Sequence, residues 1–535
     1  MVVGIDLGTT FSVAAYVDDD GQAHVIPNQD GGKSMPSVVM FNGDEAIVGQ
    51  HAKKMAASQP YSVAQFAKRH IGSDFKFLLL DDNGQRESRS PEAISAVILR
   101  RLMQDCEAYL DEQIEGVVIT VPAYFDDAQK NATLSAAKMA GINNILKIIH
   151  EPTAAALAYG IGKSSKPLTI LIYDLGGGTF DTTIAEVSGN AITVLATSGN
   201  KRLGGADFDT KLVSQAAKQI LDATKIDVFD DGYEQECQEL RELCENAKIE
   251  LSMRQKFSFT LSLGQQKTKV EFTRDQFAEM INPYLEQTGY CIDRTLEDAC
   301  LTSADIAKVI LVGGSSKIPA VGEYLHKKIG IKPSKEVNPD EIVAIGAAIC
   351  AKSLADTGKN SNQSTQDDEN SPNVPVGKIV DVNAHSFGMI VLSNEDEVNS
   401  IIIPRNQPLR RAFTKVFYTA AENQTALNLR VTEGELSDLN YVDKIGESTI
   451  KLTPHPKGSP IAVEFAYDDN GIITGRVYDL FETEYDVDGD EYLIGGIESL
   501  KESPFLGEIN ITRSHGISEQ DIAVERNNIQ LMKIQ

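Results

Sequence analysis

Short apolar runs alternate with amphipathic stretches through the first 350 residues of the chain. The run Gly116–Val121 (GVVITV) predicts a strand, and Asp126–Ala140 after it predicts a helix. We expect a further helix over Asn338–Cys350, with Asn338 as its N-cap and Pro339 in its first turn. Strands that alternate with helices in this way are typical of an α/β architecture.

The pattern changes after residue 353. Residues 356–373 contain no large apolar side chain, so we expect 354–380 to be a flexible polar linker. We expect residues 513–535 to form a short tail in which Ser518 and Asp521 cap one last helix. Between them, residues 381–512 predict an all-β sandwich, since short β-rich runs are separated by turn signals such as Asp469-Asn470-Gly471. These runs are Ser400–Ile403, Thr414–Thr419, Ala426–Val431, Ala462–Tyr467 and Ile472–Tyr478.

Two segments repeat one pattern: an apolar strand, an aspartate, a turn rich in glycine and threonine, and a second apolar strand. They are Gly4–Ser12 (GIDLGTTFS) and Tyr173–Thr183 (YDLGGGTFDTT). Glycines in such a turn let backbone N–H groups approach a phosphate closely. Asp6 and Asp174 add negative charge, which favours a divalent cation, most simply Mg²⁺, between carboxylate and phosphate oxygens. Two phosphate hairpins that face one nucleotide predict a two-lobed ATPase with a central cleft.

Ordinary structural explanations compete with these functional ones when each motif is taken alone. The first hairpin alone could be a plain Gly/Thr turn, but three consecutive glycines in the second weaken a strand without a compensating reason. The glycine pair Gly313–Gly314 could be a strand-to-helix turn. Glu245, Lys248 and Ser252 share one helix face, which could be solvated or could bind ribose and base. Pattern alone would not single out a lysine at 68 or a glutamate at 151.

The net charge and the cysteine content of the chain limit its possible binding partners and its expected location. The formal net charge of −27 argues against nucleic acid and anionic membranes. The six cysteines form no CxxC pair, so reduced thiols and a cytoplasmic location are expected. Because the first predicted strand begins at Val2, we expect no signal peptide, and no apolar run in the sequence is long enough to span a bilayer.

Together the motifs resemble those of the DnaK-type, or seventy-kilodalton, heat-shock chaperone family, from Val2 to about Ser518. Actins and sugar kinases share only the two-hairpin ATPase core and lack the β-sandwich motifs. The ATPase half carries GIDLGTT, AKRHIG (Ala67–Gly72), VPAYFDDAQ (Val121–Gln129), EPTAAALAYG (Glu151–Gly160), DLGGGTFD (Asp174–Asp181), LGGADFD (Leu203–Asp209), ENAKIELS (Glu245–Ser252) and GGSSKIP (Gly313–Pro319). The β half carries IPRN (Ile403–Asn406), VFYTAAENQTA (Val416–Ala426) and VTEGE (Val431–Glu435).

The resemblance implies an actin-like, two-lobed α/β ATPase domain over residues 1–353, followed by the linker and a β-sandwich that binds peptide. It implies an ATP-dependent chaperone that hydrolyses ATP with Mg²⁺ held by Asp6 and Asp174 through water. The implied catalytic residues are Lys68, Asp6, Glu151, Asp174, Thr179 and Asp181. The implied nucleotide-binding residues are Gly8, Thr9, Thr10, Phe11, Lys68, Gly176, Gly177, Gly178, Thr179, Gly204, Gly205, Glu245, Lys248, Ser252, Gly313, Gly314, Ser315, Lys317 and Asp340.

In the β half, the resemblance implies a groove for an extended apolar polypeptide. The matching residues are Met389, Leu392, Phe417, Ala420, Leu427 and Leu429, all of which a plain sandwich core would also require. The implied partners are unfolded polypeptide, a J-domain co-chaperone and a nucleotide exchange factor, and the expected state is a monomer. Two other functions stay open at this point: a nucleotide-switched, non-catalytic interaction protein and a metabolite kinase on the same core.

The chain departs from the family pattern at several places. Lys317 stands where most relatives carry an arginine stacked on adenine, Ala206 replaces a glutamate and Lys130 an arginine. The linker match Gly377–Asp381 is less apolar, which bears on coupling between the domains. An acidic insertion lies near Glu482–Phe505. Members of the family continue as a helical lid, whereas after residue 518 we expect room for about one helix, as in a short member that lacks most of the lid.

Overall fold

The computed structural model describes residues 1–43, 45–80, 84–160, 166–188, 191–360, 378–393, 396–409, 411–468, 472–483, 493–494, 500, 503–509, 511 and 517–535. Most of the predicted linker, the predicted turn at 469–471 and most of the acidic insertion lie outside the described residues. The chain divides into two compact units. The first comprises Met1–Tyr124, Ala132–Ile379 and Ile517–Gln535, and the second comprises Phe125–Asn131 and Val380–Gly516.

The described residues form ten α-helices. In chain order they are α1 (Gln50–Met55), α2 (Pro91–Leu110), α3 (Asp127–Met139), α4 (Glu151–Gly160), α5 (Gly205–Thr224), α6 (Glu234–Met253), α7 (Arg274–Asp298), α8 (Pro319–Ile329), α9 (Ile342–Asn360) and α10 (Glu519–Leu531). Short 3-10 helices cover Ala67–His70, Ser303–Asp305, Gly314–Lys317 and Leu439–Tyr441.

The strands of the described chain are interspersed with these helices as far as α9, and β18 to β27 then follow one another without an α-helix between them. They are β1 (Val2–Asp6), β2 (Phe11–Val17), β3 (Ala23–Ile26), β4 (Met35–Pro36), β5 (Val38–Asn42), β6 (Glu45–Val48), β7 (Val63–Gln65), β8 (Phe77–Leu80), β9 (Arg86–Arg89), β10 (Gly116–Val121), β11 (Ile145–His150), β12 (Leu168–Leu175), β13 (Phe180–Ser188), β14 (Ala191–Asn200), β15 (Lys256–Leu263), β16 (Gln266–Thr273), β17 (Lys308–Val312), β18 (Ile379–Val380), β19 (Phe387–Ser393), β20 (Asp396–Ile403), β21 (Phe413–Tyr418), β22 (Ala426–Glu433), β23 (Asp443–Lys451), β24 (Pro460–Tyr467), β25 (Ile473–Asp479), β26 (Leu493–Ile494), β27 (Phe505–Ile509) and β28 (Lys533–Ile534).

The first unit is built on one sheet design used twice. One sheet has the order β11-β10-β1-β2-β3 and the other the order β17-β12-β13-β14-β18. In each, a hairpin (β1–β2 or β12–β13) is antiparallel, and its first strand pairs in parallel with a neighbour, β10 or β17. The predicted duplication of a hairpin is therefore confirmed, and with it the actin-like α/β fold.

Two helices rich in small residues join the halves of this unit. Helix α9 packs on β1, β2 and β10, helix α4 packs on β12 and β13, and the two helices pack on each other. Their approach is very close, since a Cβ added at Gly346 would lie 1.8 Å from the carbonyl oxygen of Ala154. Only small residues allow backbones so near, which explains the alanines and glycine of EPTAAALAYG and of AIGAA.

The predicted bounds of α9 are wrong at both ends. The Asn338 side chain accepts a hydrogen bond from the Asp340 N–H (3.2 Å), as a capping residue would, but residues 338–341 form a turn and the helix begins at Ile342. At the other end the helix continues to Asn360, so residues 354–360, which sequence assigned to the linker, are helical.

The second unit contains two packed sheets. Their orders are β20-β19-β22-β23 and β26-β21-β24-β25-β27, with antiparallel pairing throughout the registers. Side chains from both sheets fill one core, including Phe387 and Val431 from one and Phe413, Phe465 and Val477 from the other. The predicted β-sandwich is confirmed.

The C-terminal segment, defined here as Ser518–Gln535, belongs to the first unit. Helix α10 begins where predicted, because the Ser518 hydroxyl accepts a hydrogen bond from the Asp521 N–H (3.1 Å). Strand β28 then pairs in parallel with β6. Among the helices of the described chain, none is both long and apolar enough to cross a membrane.

Candidate nucleotide-binding and peptide-binding sites

The two predicted phosphate loops face each other in the first unit. A Cβ added at Gly177 would lie 2.3 Å from Thr10 Cγ2, and one at Gly178 would lie 2.6 Å from Thr9 Cγ2. Glycine is therefore required at these positions, because any side chain would drive the loops apart. The structure brings together two turns that are far apart in sequence, each at the end of the first strand of its hairpin.

A buried ion pair lies beside these loops. Lys68 Nζ donates to Glu151 Oε1 at 2.6 Å, and the two side chains are 6% and 10% exposed. Lys68 stands in the 3-10 helix that follows β7, and Glu151 is the first residue of α4, directly after β11. An ion pair held away from water in this way has fixed geometry, since either partner alone would be an uncompensated buried charge.

Three aspartates share the electric field of this pair. Burial and the charge of Glu151 raise the pKa of Asp6 to about 7 and that of Asp181 to about 8, while Lys68 lowers both. Burial, with Glu151 and Asp181 next, raises the pKa of Asp174 well above its ordinary value. One lysine therefore faces more acidic groups than it can neutralise, so the site has room for further positive charge.

The acidic cluster fits a divalent cation that is held largely by other ligands. Asp181 Oδ1 is buried and accepts no hydrogen bond among the described residues, while Asp6 Oδ1 accepts one from Thr120 Oγ1 at 3.0 Å. Within the part of the chain that the structure describes, no three His, Cys, Asp or Glu side chains could hold a metal ion by themselves. Mg²⁺ commonly keeps several waters and takes phosphate oxygens from its nucleotide, so this donor set suits it.

A second group of predicted residues surrounds the glycine-rich loop of the second hairpin. A Cβ at Gly204 would lie 2.6 Å from the Gly178 nitrogen, and one at Gly205 would lie 2.4 Å from Ser315 Oγ and 3.1 Å from Lys248 Nζ. Gly313 has a φ of 80°, which favours glycine, and a Cβ added there would lie 2.8 Å from Asp174 Oδ1.

The remaining predicted residues extend this group outward. Lys317 pairs with Asp340, and a Cβ at Gly314 would lie 3.7 Å from Asp340 Oδ1. Glu245 and Lys248 are 22% and 13% exposed, so the alternative of a fully solvated helix face is wrong. Ser252 makes only a local bond, from its hydroxyl to the Lys248 carbonyl (3.2 Å).

Sequence reasoning missed four residues that contact the predicted ones, the first three of which are Lys53, Arg69 and Asp207. Lys53 Nζ donates to Glu245 Oε1 at 2.7 Å and lies 5.3 Å from the centre of the Phe11 ring. Arg69 pairs with Asp207 and donates to the carbonyl of Gly178. Arg69 lies in the motif AKRHIG and Asp207 in LGGADFD, so these family motifs could have indicated both residues. Lys53 lies in no family motif, so the sequence offered no signal for it.

The fourth missed partner is Asp209, which holds Lys248 through a 2.6 Å contact between Oδ2 and Nζ. Burial raises the pKa of Asp209 to about 6, and Lys248 opposes that rise. Because Lys248 also donates to the Gly205 carbonyl (3.3 Å), Asp209 fixes this lysine against the loop. Asp209 closes the LGGADFD motif and could have been found there.

The predicted peptide-groove residues of the second unit differ in exposure. Met389 and Leu429 are buried in the sandwich core, as the alternative of a plain core residue predicts. Phe417 and Leu427 are half-buried at the margin of that core, Leu392 is 66% exposed, and Ala420 is exposed.

The strands that carry these residues separate at the groove. Strands β19 and β22 pair over three positions that end at Met389 and Val431, and no further pair between them occurs in the described chain. Beyond that point each pairs only with its outer neighbour, β20 or β23. Unpaired backbone edges therefore lie beside Leu392 and Leu427.

The contact of the two loops leads to a first prediction. Gly177→Ala should weaken ATP binding by roughly fivefold to a hundredfold, because its Cβ would overlap Thr10 and overpacking costs about 1–3 kcal/mol. Titration with a fluorescent ATP analogue would measure this. The matched control is Gly322→Ala in α8, whose Cβ would meet no atom within 4 Å. Equal affinity of the Gly177→Ala variant and the control would contradict the tight approach of the loops.

A duplicated hairpin fold, two opposed glycine loops and a buried acid–lysine cluster define an actin-like ATPase, joined here to a β-sandwich. The sequence profile of the Hsp70 protein family matches residues 2–486. A chaperone protein DnaK from Thermotoga neapolitana is 40% identical over 489 residues, which cover 90% of this chain and 78% of that protein. The DnaK proteins of Thermotoga petrophila and Thermosipho melanesiensis are 40% and 39% identical over the same shares.

The chain therefore belongs to the Hsp70 family, and the predicted family resemblance is confirmed. It is an ATP-dependent molecular chaperone and an ATPase that binds ATP and ADP. Because the match runs through most of the β-sandwich, a metabolite kinase built on the ATPase core alone does not fit. Binding of unfolded polypeptide follows from the same assignment.

Proposed function

We propose that this chain hydrolyses Mg-ATP between its two glycine loops and thereby controls how its β-sandwich binds and releases extended apolar segments of unfolded proteins. The observation that carries the hydrolytic part is the buried Lys68–Glu151 pair beside three aspartates. Phosphoryl transfer needs mainly positioning and neutralisation of charge, and this cluster offers one cation and several carboxylates at fixed positions.

Each member of the cluster receives a role in this proposal. Lys68 orients the attacking water and stabilises charge on the γ-phosphate. Glu151 holds Lys68 in place and, with Asp181, accepts protons from water. Asp6 and Asp174 would hold Mg²⁺ through water, and the bound ion would supply neutralising charge to the phosphates. The hydroxyl of Thr179 donates to a phosphate oxygen.

The remaining residues of the cleft bind the nucleotide. Backbone N–H groups and hydroxyls of the two loops cradle the phosphates. These residues are Gly8, Thr9, Thr10, Phe11, Gly176, Gly177, Gly178 and Thr179. A second set holds the adenosine: Gly204, Gly205, Glu245, Lys248, Ser252, Gly313, Gly314, Ser315, Lys317 and Asp340. Lys317 supplies a point charge where an arginine fork would stack on the base, so its hold on adenine should be weaker.

The peptide site lies where β19 and β22 separate. An extended segment would add main-chain hydrogen bonds to the unpaired edges and place an apolar side chain among Leu392, Phe417, Ala420 and Leu427. In this proposal Met389 and Leu429 form the floor of the groove, since both are buried beneath it in the core. Met389 and Leu429 would thus be core residues that also line the bottom of the groove.

Further parts of the proposal rest on the family resemblance. They are a J-domain co-chaperone that stimulates hydrolysis, a nucleotide exchange factor, a monomeric state and a cytoplasmic location. The functional domains are proposed as residues 1–353, 381–512 and a tail at 513–535, with a linker at 354–380 whose first residues, 354–360, continue helix α9.

ATP turnover with and without an unfolded apolar peptide tests the proposal. Phosphate release should require Mg²⁺ and should rise when an extended leucine-rich peptide is added. A peptide of equal length with lysine and glutamate at the leucine positions is the matched control and should leave the rate unchanged. Absence of turnover would overturn the hydrolytic part, and equal stimulation by both peptides would overturn the apolar specificity.

A further inference from the structure

Two loops of the β-sandwich lie side by side next to the proposed groove. The rim loop, defined here as residues 419–425, connects β21 to β22 and carries Ala420. The brace loop, defined as residues 452–459, connects β23 to β24. Because β21 pairs with β24, the start of the rim loop lies beside the end of the brace loop. The brace loop is therefore placed to support the rim of the groove.

Hydrogen bonds attach the rim loop to the brace loop near both of its ends. The Thr419 N–H donates to the Ser459 carbonyl (3.0 Å), and the Gly458 N–H donates to the Thr419 carbonyl (2.9 Å). Farther along the rim loop, the Asn423 N–H donates to the His455 carbonyl (3.0 Å). A movement of the brace loop would therefore move the rim loop with it.

The His455 side chain anchors the brace loop to the end of β25. Its Nε2 lies 2.7 Å from Asp479 Oδ2, and the ring nitrogen donates, because an ionised carboxylate can only accept. The two side chains are 15% and 7% exposed. The Phe481 ring stacks on the imidazole with 4.2 Å between the centroids, and the Phe481 N–H donates to Asp479 Oδ1 (3.0 Å). The imidazole is thus held at one edge and on one face.

Two prolines make this anchor rigid. His455 stands between Pro454 and Pro456 in the brace loop. Proline fixes its own φ and restricts the residue before it to extended conformations, so this stretch has few backbone alternatives. A restraint on the imidazole is for that reason also a restraint on the His455 carbonyl, which accepts the hydrogen bond from Asn423.

We propose that His455 is a positioning residue of the peptide site, which holds the rim loop and Ala420 in place through the brace loop. This inference rests on the proposed function, because it assumes that peptide binds beside Ala420. Without the hydrogen bond to Asp479, the brace loop is freed at this point and the rim loop loses its support at Asn423. Bound peptide should then dissociate faster, since changes within one binding site act mainly on the off-rate.

The test measures peptide release from the full chain in the presence of ADP. Dissociation of a labelled leucine-rich peptide, followed by stopped-flow fluorescence, should be roughly threefold to tenfold faster in His455→Ala than in the wild-type chain. This factor is smaller than the full strength of a hydrogen bond to a charged group, because Thr419 keeps its bonds to the brace loop. The matched control is His24→Ala, which breaks an equally short bond to Asp18 (2.7 Å) at an exposed place in the first unit and should leave release unchanged.

Asp479 is the group that sets the charge next to the imidazole. The other charged side chains that the structure describes in the two loops and in the residues directly after β25 are exposed: Glu422, Lys457 and Glu482. On β25 itself, Arg476 and Tyr478 point to the opposite face of the strand from Asp479. A change of charge on the imidazole therefore acts chiefly on its hydrogen bond to Asp479.

The pH profile of peptide release separates positioning from simple stabilisation of the sandwich. Imidazole is the side chain whose charge changes between about pH 5 and pH 8, and a charged ring binds a carboxylate more strongly than a neutral one. Release from the wild-type chain should therefore be slower at about pH 6 than at about pH 8. The difference should disappear in His455→Gln, whose amide can donate to Asp479 at both pH values without a change of charge.

Hydrogen exchange at the Asn423 N–H reports attachment of the rim loop, because its acceptor is the His455 carbonyl. Faster exchange at Asn423 in His455→Ala with an unchanged rate of peptide release would overturn the inference. A pH dependence of release that persists in His455→Gln would overturn it as well. If His455→Ala does not fold, the comparison of His455→Gln with the wild-type chain at the two pH values decides the matter alone.

Failure of this inference can be distinguished from failure of the proposed function. A wild-type chain that binds no leucine-rich peptide at either pH would remove the groove, and the role of His455 with it. Normal peptide binding with equal release rates in the wild-type chain, His455→Ala and His24→Ala would remove only the positioning role.

Discussion

Lys68→Ala should reduce ATP hydrolysis a hundredfold or more, about 2.7 kcal/mol or above, while the protein still binds ATP. The Lys68 side chain is 6% exposed and forms the ion pair with Glu151. It also lowers the pKa of Asp6, Asp174 and Asp181. Its removal leaves Glu151 as an unpaired buried charge and withdraws the group best placed to neutralise the γ-phosphate.

The electrostatics predict a second signature of this variant. Without Lys68 the pKa of each aspartate rises further, so more of these carboxyls are protonated at neutral pH. A raised carboxyl pKa favours the protonated form below it, and the carboxylate returns only as the pH passes above it. The residual hydrolysis of Lys68→Ala should therefore increase with pH beyond the values of about 7 for Asp6 and about 8 for Asp181.

Single-turnover assays with ATP in excess of its dissociation constant would measure both effects. The matched control is Lys33→Ala, which removes a lysine from an exposed ion pair with Glu341 in the same unit. Surface pairs of this kind contribute about 0–1 kcal/mol, so the control should hydrolyse ATP normally. Near-normal turnover by Lys68→Ala would contradict the catalytic role given to this lysine.

The phosphate loops could be predicted from sequence because their chemistry is local. Three glycines in a row at Gly176–Gly178 have no use in an ordinary strand, and the structure shows Thr10 and Thr9 filling the space that side chains at Gly177 and Gly178 would need. The pair of Lys68 with Glu151 spans 83 positions, and no periodicity in either segment marks it. Family motifs pointed to both residues, whereas their contact is a property of the folded chain.

The C-terminal segment shows the same division between local and tertiary information. The capping residues Ser518 and Asp521 predict α10, since their hydrogen bond closes within one turn. Ile522 and Ile529 indicate an apolar stripe, but a stripe does not say what it packs against. Strand β28 has only two residues, and its partner lies 488 positions away, so no local pattern could reveal that pairing.

The sandwich shows why a groove and a core are hard to distinguish from sequence. Both require apolar residues at alternate positions of a strand, as at Leu427, Leu429 and Val431. Burial decides between them: Leu429 and Val431 are fully inside the core, while Leu427 lies at its margin. The separation of β19 from β22 beyond Met389 gives the groove its backbone edges, and it depends on strand register.

Leu427→Asp should weaken binding of an extended apolar peptide by roughly a hundredfold, about 2.7 kcal/mol. Leu427 is half-buried beside the unpaired edge of β22, and it stands opposite Ile450 of β23. A carboxylate there would be desolvated by the peptide without a compensating partner. Fluorescence anisotropy with a labelled leucine-rich peptide would measure the loss.

Two further variants decide whether that loss reflects the groove or the core beneath it. Leu392→Asp changes a side chain that is 66% exposed, so it should leave the unfolding temperature unchanged and still weaken peptide binding. Ala426→Asp adds the same charge one residue from Leu427, at an exposed position opposite Lys451, and should bind peptide normally. If Leu392→Asp binds peptide as tightly as the wild-type chain does, the groove does not lie between β19 and β22. If Leu392→Asp and Ala426→Asp weaken peptide binding equally, the loss reflects the added negative charge alone. A peptide side chain seated between Leu392 and Leu427 would contact residue 392 and not residue 426, so binding in the groove requires a larger loss in Leu392→Asp.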